Sequence, residues 1–153
     1  MMPTGPAHDA ARGRLVTAIA VLWLGVVSQP ARAGDPAAEI SGPWLTDGGD
    51  SIVRFESCGT GWCGRIARIL RPNPGGPGAD VHNPDPGLRH RPMEGLQLFS
   101  LDRFDDKAWR GTVYDPRSGR TWQAMVRRSG PAVLEIKGCF AVFCQTRHWS
   151  SAR

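Results

Sequence analysis

From Gly42 onward, apolar residues come in short runs divided by turn-forming residues, and no stretch holds a helical period long enough to compete with strand. This punctuation is what most restricts the fold. Gly42-Pro43-Trp44-Leu45 is closed by Asp47-Gly48-Gly49-Asp50. Residues 52–56 alternate, with Val53 and Phe55 on one face. Residues 65–70, 96–101, 109–114, 121–127, 133–138 and 143–148 complete a set of eight candidate strands. Short strands at regular spacing specify a sandwich or a barrel. Eight antiparallel strands joined by hairpins close most simply into an up-and-down barrel, which leaves no unpaired edge. The expected fold is therefore all-β, an eight-stranded antiparallel up-and-down barrel over residues 42–153.

The first 33 residues have a different character. Arg12 and Arg14 precede an uncharged run, LVTAIAVLWLGVV at 15–27, and Ala31-Arg32-Ala33 follows it. A basic flank, an apolar run of this length and an A-x-A site read as a signal peptide, 1–33, cleaved before Gly34. A membrane-crossing helix takes about 20 apolar residues, more than this run supplies. No cysteine follows the run directly and no Arg-Arg pair precedes it, so the general secretion route is expected. Residues 34–41 read as a flexible N-terminal segment, and the location as periplasmic or secreted. The formal charge of the whole chain is +5. Without Arg12, Arg14, Arg32 and Asp9 it becomes +3. With no basic run, that charge argues against nucleic acid as a partner.

All four cysteines lie after the leader, as two C-x4-C pairs: Cys58 with Cys63, and Cys139 with Cys144. Zinc knuckles usually have shorter spacing, and an exported protein meets an oxidising environment, so two disulfides are expected and no metal or cofactor. Four cysteines allow three pairings. Closure within each pair is expected, with the two cysteines facing each other across a hairpin. Gly59 and Gly61 ease the first turn. The second has no glycine between its cysteines.

Residues 71–95 break the short-loop pattern, with prolines at 72, 74, 77, 84, 86 and 92. Loops this long in compact domains are usually functional or disordered. The second half concentrates side chains that pair or hydrogen-bond: Asn83, Asp85, Arg89, His90 and Arg91. Asp85-Pro86 suits an N-cap and first helical position, which predicts a single helical turn over 86–89 with Leu88 directed into the core. This loop is expected to cover the barrel mouth, with Arg89 or Arg91 reaching an acid such as Asp115 or Asp85. Tyr114 to Thr121 reads as a type I turn with a bulge, in which Asp115 accepts from turn amides and Gly119 takes the left-handed position.

Three separated motifs carry a family resemblance. They are the stretch from Asn83 to Leu96, the stretch from Val113 to Trp122, and the ending from Ile136 through Trp149. Together they resemble the bacterial secreted family catalogued as domain of unknown function 2147. The resemblance implies a lipocalin-like β-barrel and supplies no catalytic residue. Trp122 stands where tyrosine is expected, His148 where threonine is common, and the Gly-Pro stretch at 74–78 lengthens the loop.

The chemistry points to binding rather than catalysis. No H-E-x-x-H, G-x-S-x-G or P-loop pattern occurs. Two clusters stand out: Asp85, Arg89, Arg91 and Asp115, and Arg147 with His148 beside Trp149. Neither forms a nucleophile-base pair, and arginine clusters more often position loops or bind anions. Trp44, Trp62, Trp109, Trp122 and Trp149 are expected to plug the barrel or to line a cavity. An eight-stranded barrel is wide enough to be filled by side chains or to hold one small ligand. Two readings follow: an exported module holding a small apolar or anionic ligand, or an envelope domain with a filled core that binds a partner protein. A cavity favours the first, and an exposed apolar patch the second.

Overall fold

The computed structural model describes residues 39–71 and 78–152. The expected leader, its cleavage point, most of 34–41 and the first part of the long loop fall outside these residues. The chain forms β1 (Gly42–Leu45), β2 (Ser51–Cys58), β3 (Gly61–Ile69), a 3-10 turn at Pro86–Leu88, β4 (Gln97–Asp105), β5 (Ala108–Asp115), β6 (Arg120–Gly130), β7 (Val133–Phe140) and β8 (Phe143–Ser151). Each strand pairs antiparallel with its neighbours in sequence. Trp44↔Ser151 and Leu45↔Ser150 join β1 to β8 and close the barrel. The expected fold class and strand count are both met.

Alternation along each strand builds the core. Val53 and Phe55 from β2, Ile66 from β3, Phe99 and Leu101 from β4, Val126 from β6, Leu134 and Ile136 from β7 and Trp149 from β8 all point inward and are buried. Aromatic rings pack together at the end holding the β2–β3, β4–β5 and β6–β7 turns. Trp109 meets Trp62 edge-on at 6.3 Å and Phe104 at 5.2 Å. Ile40 is fully buried, and its carbonyl accepts from Trp44 Nε1 at 2.9 Å. Arg128 lies over the Trp44 ring and donates to the carbonyls of Glu39 and Pro131. The segment entering β1 is thereby fastened to this closed end.

Both disulfides close locally, Cys58–Cys63 and Cys139–Cys144. The second fits the expected geometry, since Cys139 pairs directly with Cys144 and the Cα atoms are 4.1 Å apart. The first does not. Cys58 pairs with Gly61 and Glu56 with Cys63, so that bridge runs diagonally over a Cα separation of 5.7 Å. The two-residue turn Gly59-Thr60 is off-centre between the cysteines, which staggers them by two pairs.

Leu88 is exposed rather than core-directed. Its 3-10 turn lies on the long loop, outside the barrel wall. The β4–β5 turn shows a further departure from what the sequence signals. Asp106 and Lys107 both adopt positive φ, at 46° and 60°, in positions that Asn-Gly fills far more comfortably. A left-handed non-glycine residue costs about 1–2 kcal/mol, partly offset by its smaller unfolded-state entropy. Lys107→Gly should therefore raise stability by about 0.5–1 kcal/mol. A shift of the denaturation midpoint to lower denaturant would show that the turn carries no such strain.

Candidate functional site: the open mouth of the barrel

The opposite end is framed by the β1–β2 turn, the long loop, the β5–β6 turn and the β7–β8 turn. Here the inner face changes character. Along β8, Trp149 pairs with Leu134, Arg147 with Ile136 and Gln145 with Gly138, so Arg147 and Gln145 share the inward face with Trp149. Polar side chains on an inward face require water or a ligand beside them. Above the buried Val53, Phe99 and Trp149 lies an open cleft of about 480 Å³. Ile66, Ile69, Leu98, Val113 and Met93 extend its apolar wall, and Asp47, Asp50, Arg71, Arg117 and Arg147 stand at its rim. Arg147 pairs with Asp47 at 3.3 Å and Arg117 with Asp50 at 3.0 Å. Arg71 has no side-chain partner among the described residues.

The long loop is held across one side of this mouth. Met93 N donates to Gly78 O, Asp80 N to Arg91 O, Gly95 N to Ile66 O and Ile69 N to Glu94 Oε1. The pin is Asp80, which is fully buried. Its carboxylate accepts from Tyr114 Oη at 2.7 Å, Asn83 Nδ2 at 2.8 Å, Arg91 Nε at 2.9 Å and a terminal Arg91 nitrogen at 2.8 Å. Burial pushes this carboxyl up, but hydrogen bonds from Asn83, Tyr114 and Arg91, with the Arg91 charge, outweigh it and hold it below the usual value. The Tyr114 phenol moves the other way, raised by burial and by the Asp80 carboxylate.

The expected pinning pair is corrected on one side. Arg91 does reach an acid, but the acid is Asp80, not Asp115 or Asp85. Asp115 serves its own turn, accepting from Arg117 N at 3.0 Å and Ser118 Oγ at 2.7 Å, with Gly119 at φ 69° as read from the sequence. Asp85 caps the 3-10 turn through Gly87 N at 2.8 Å. Asn83 is buried, and its Oδ1 accepts from Asp85 N at 2.9 Å. Arg89 Nε donates to Asn83 O at 2.8 Å instead of meeting a carboxylate. The second expected cluster is separated by the pleat. Arg147 faces the mouth, whereas His148 faces outward beside Glu135, at 3.7 Å. Asp80, Tyr114, Asp47, Asp50, Arg71 and Arg117 were not singled out in the sequence.

Arg91→Ala should leave the Asp80 charge on two neutral donors. An expected loss is about 2 kcal/mol, moderated because Arg91 is itself about a third exposed. Limited proteolysis reads the same effect as faster nicking within 78–95. Unchanged nicking would remove Arg91 from the pin.

Residues 42–151 match the model of a family described as an uncharacterized protein conserved in bacteria, domain of unknown function 2147. The chain belongs to this family. No curated protein matches it. Among solved structures, this family member is similar to a protein from the human pathogen Helicobacter pylori described as belonging to the lipocalin family. That likeness has a TM-score of 0.63 at 21% identity and covers 76% of this chain and 84% of the other. At that identity it speaks for the lipocalin-like fold of this family member alone.

Proposed function

We propose that this protein is an exported binding module that takes a small ligand into the open mouth of its barrel. The observation that carries this is the cleft of about 480 Å³ above Trp149, apolar below and bearing arginines at its rim. Ligand sites in proteins are typically concave, of roughly 300–1,000 Å³, mostly apolar, with a few placed polar groups. A ligand with an apolar body and an anionic group matches this division. The lipocalin-like architecture supports the same use. A binding role fits better than a catalytic one, because Asp80 and Tyr114 are spent holding the loop and the rim carboxylates Asp47 and Asp50 are paired with arginines.

Export is supported by the A-x-A site after the apolar run and by the two disulfides, which persist in oxidising compartments. Protein recovered from the periplasm should begin at Gly34 on N-terminal sequencing. A start before the apolar run would reject the cleavage. Native mass spectrometry of the same material tests the ligand. A bound mass that is released on denaturation, with a change in Trp149 emission, is the expected result. A bare mass, with no emission change across fatty acids and other anionic amphiphiles, would reject the cleft as a binding site.

A further inference from the structure

The large apolar side chains that the described residues leave exposed are Leu70, Val81, Leu88, Phe140, Val142 and Phe143, and all of them lie at the mouth end. Three belong to the β7–β8 hairpin. Val142 is 86% exposed and Phe143 73%, with Phe140 beside them. Such side chains rarely cluster on a surface without a role. The tip is also cross-linked. Its two-residue turn is closed by the Phe140↔Phe143 pair, the Cys139–Cys144 bridge crosses directly beneath, and Ala141 is held at φ 52°. A tip needed only to connect two strands would more comfortably carry glycine or asparagine there.

Basic side chains stand around it. The Arg120 guanidinium lies over the Phe140 ring at 5.5 Å and has no acidic partner among the described residues. Lys137 and Arg147 stand on the same hairpin, and no acidic residue follows Glu135 in the chain. The acids nearest on this end are each engaged, two of them by arginines. Asp47 pairs with Arg147 and Asp50 with Arg117, and the Asp115 carboxylate is occupied by its own turn.

We infer that the β7–β8 tip docks the protein on an anionic phospholipid surface. Phe143 and Val142 enter the boundary between headgroups and acyl chains, and Arg120, with Lys137, meets lipid phosphates at the base of the tip. Apolar side chains inserted below a cationic collar bind such surfaces through both area and charge. A stable protein interface takes about 800 Å² from each partner, more than a two-residue turn presents, whereas a bilayer needs only these few side chains. Docked in this way, the mouth of the barrel faces the bilayer. Nothing in this depends on the cleft holding a ligand.

Vesicle flotation of the processed protein tests it. Vesicles of phosphatidylcholine with phosphatidylglycerol should carry the protein upward, and vesicles of phosphatidylcholine alone should carry much less. Replacing both Val142→Ser and Phe143→Ser should weaken binding at least about tenfold. Arg120→Gln should weaken it about fivefold at low salt. Both tip side chains are solvent-exposed, so the melting temperature should hold. Val142→Asp provides a second variant with the same expected loss. The assignment is overturned if the native protein stays with the vesicle-free fraction, or if the tip variants bind as well as it does. A concentration-dependent dimer in sedimentation that the double variant abolishes would instead give the tip to a second copy of the chain, and would equally overturn it.

Discussion

Asp80→Ala should destabilise the protein by about 3 kcal/mol, one of the two largest losses expected of any single substitution near the mouth. The carboxylate is the common acceptor for Tyr114, Asn83 and Arg91. Deleting it strands the Tyr114 phenol proton, leaves the buried Asn83 amide with only its 3.2 Å bond to Tyr114 Oη, and releases the arginine that ties the two sides of the loop; a buried group left unpaired costs about 1–3 kcal/mol. The loop can partly relax and admit water, so the total falls short of the sum. Denaturant unfolding with the disulfides intact measures it. A loss under about 0.5 kcal/mol would mean that the network adds nothing beyond what water supplies.

The same residue makes a pH prediction with a definite sign. In the folded protein Asp80 has its pKa lowered below the ordinary 3.8. Its contribution is therefore fully present above the unfolded value and is lost as pH falls through the folded one. From about pH 5 downward, native stability should fall more steeply than that of Asp80→Asn. Glu135, lowered by the hydrogen bond and charge of Arg127, and Asp105, lowered by the hydrogen bond from Arg110, slope in the same direction. The difference between the native protein and Asp80→Asn isolates Asp80. Parallel acid profiles would remove it from the balance.

What was legible in the sequence was local. Alternation at Val53 and Phe55, the Asp-Pro-x-x-Gly turn at 115–119 and the closely spaced cysteine pairs each report on a few adjacent residues, and the barrel follows once eight such units are joined. What escaped depends on distance in sequence. Asp80 meets Tyr114 from 34 positions away, and no spacing rule connects them. The local signals even misdirected, because Asp85 and Asp115 look like partners for Arg91 until their turns consume them. The β4–β5 turn escaped for a different reason: Asp106-Lys107 takes a conformation its residues disfavour, under the pull of strand pairing on either side. The open mouth did leave a trace. Phe143, Gln145, Arg147 and Trp149 share one face, and two polar residues above a buried tryptophan on an inward face are the mark of a barrel that is wet at one end. Whether that end is a cleft or a plug is decided by how the loop at 78–95 closes over it, which strand patterns do not encode.

Gly119→Ala carries the other large effect, because two penalties coincide at this residue. Its φ of 69° is left-handed, which costs an alanine about 1–2 kcal/mol. Its Cα also abuts the long loop: an added Cβ would come within 1.9 Å of the His82 carbonyl oxygen, which is backbone and has no rotamer to yield. The loop must move away from the β5–β6 turn, and the Asp80–Tyr114 bond is close enough in sequence to both contacts to be strained by that movement. A total loss of about 3 kcal/mol is expected, with nicking within 78–95 faster by at least about tenfold as local opening becomes easier. Gly59→Ala is the control. Gly59 has nearly the same φ, 63°, but open space where its Cβ would stand, so it bears the conformational cost alone. Equal losses of stability in the two variants, or unchanged nicking in Gly119→Ala, would show that the turn does not hold the loop over the mouth.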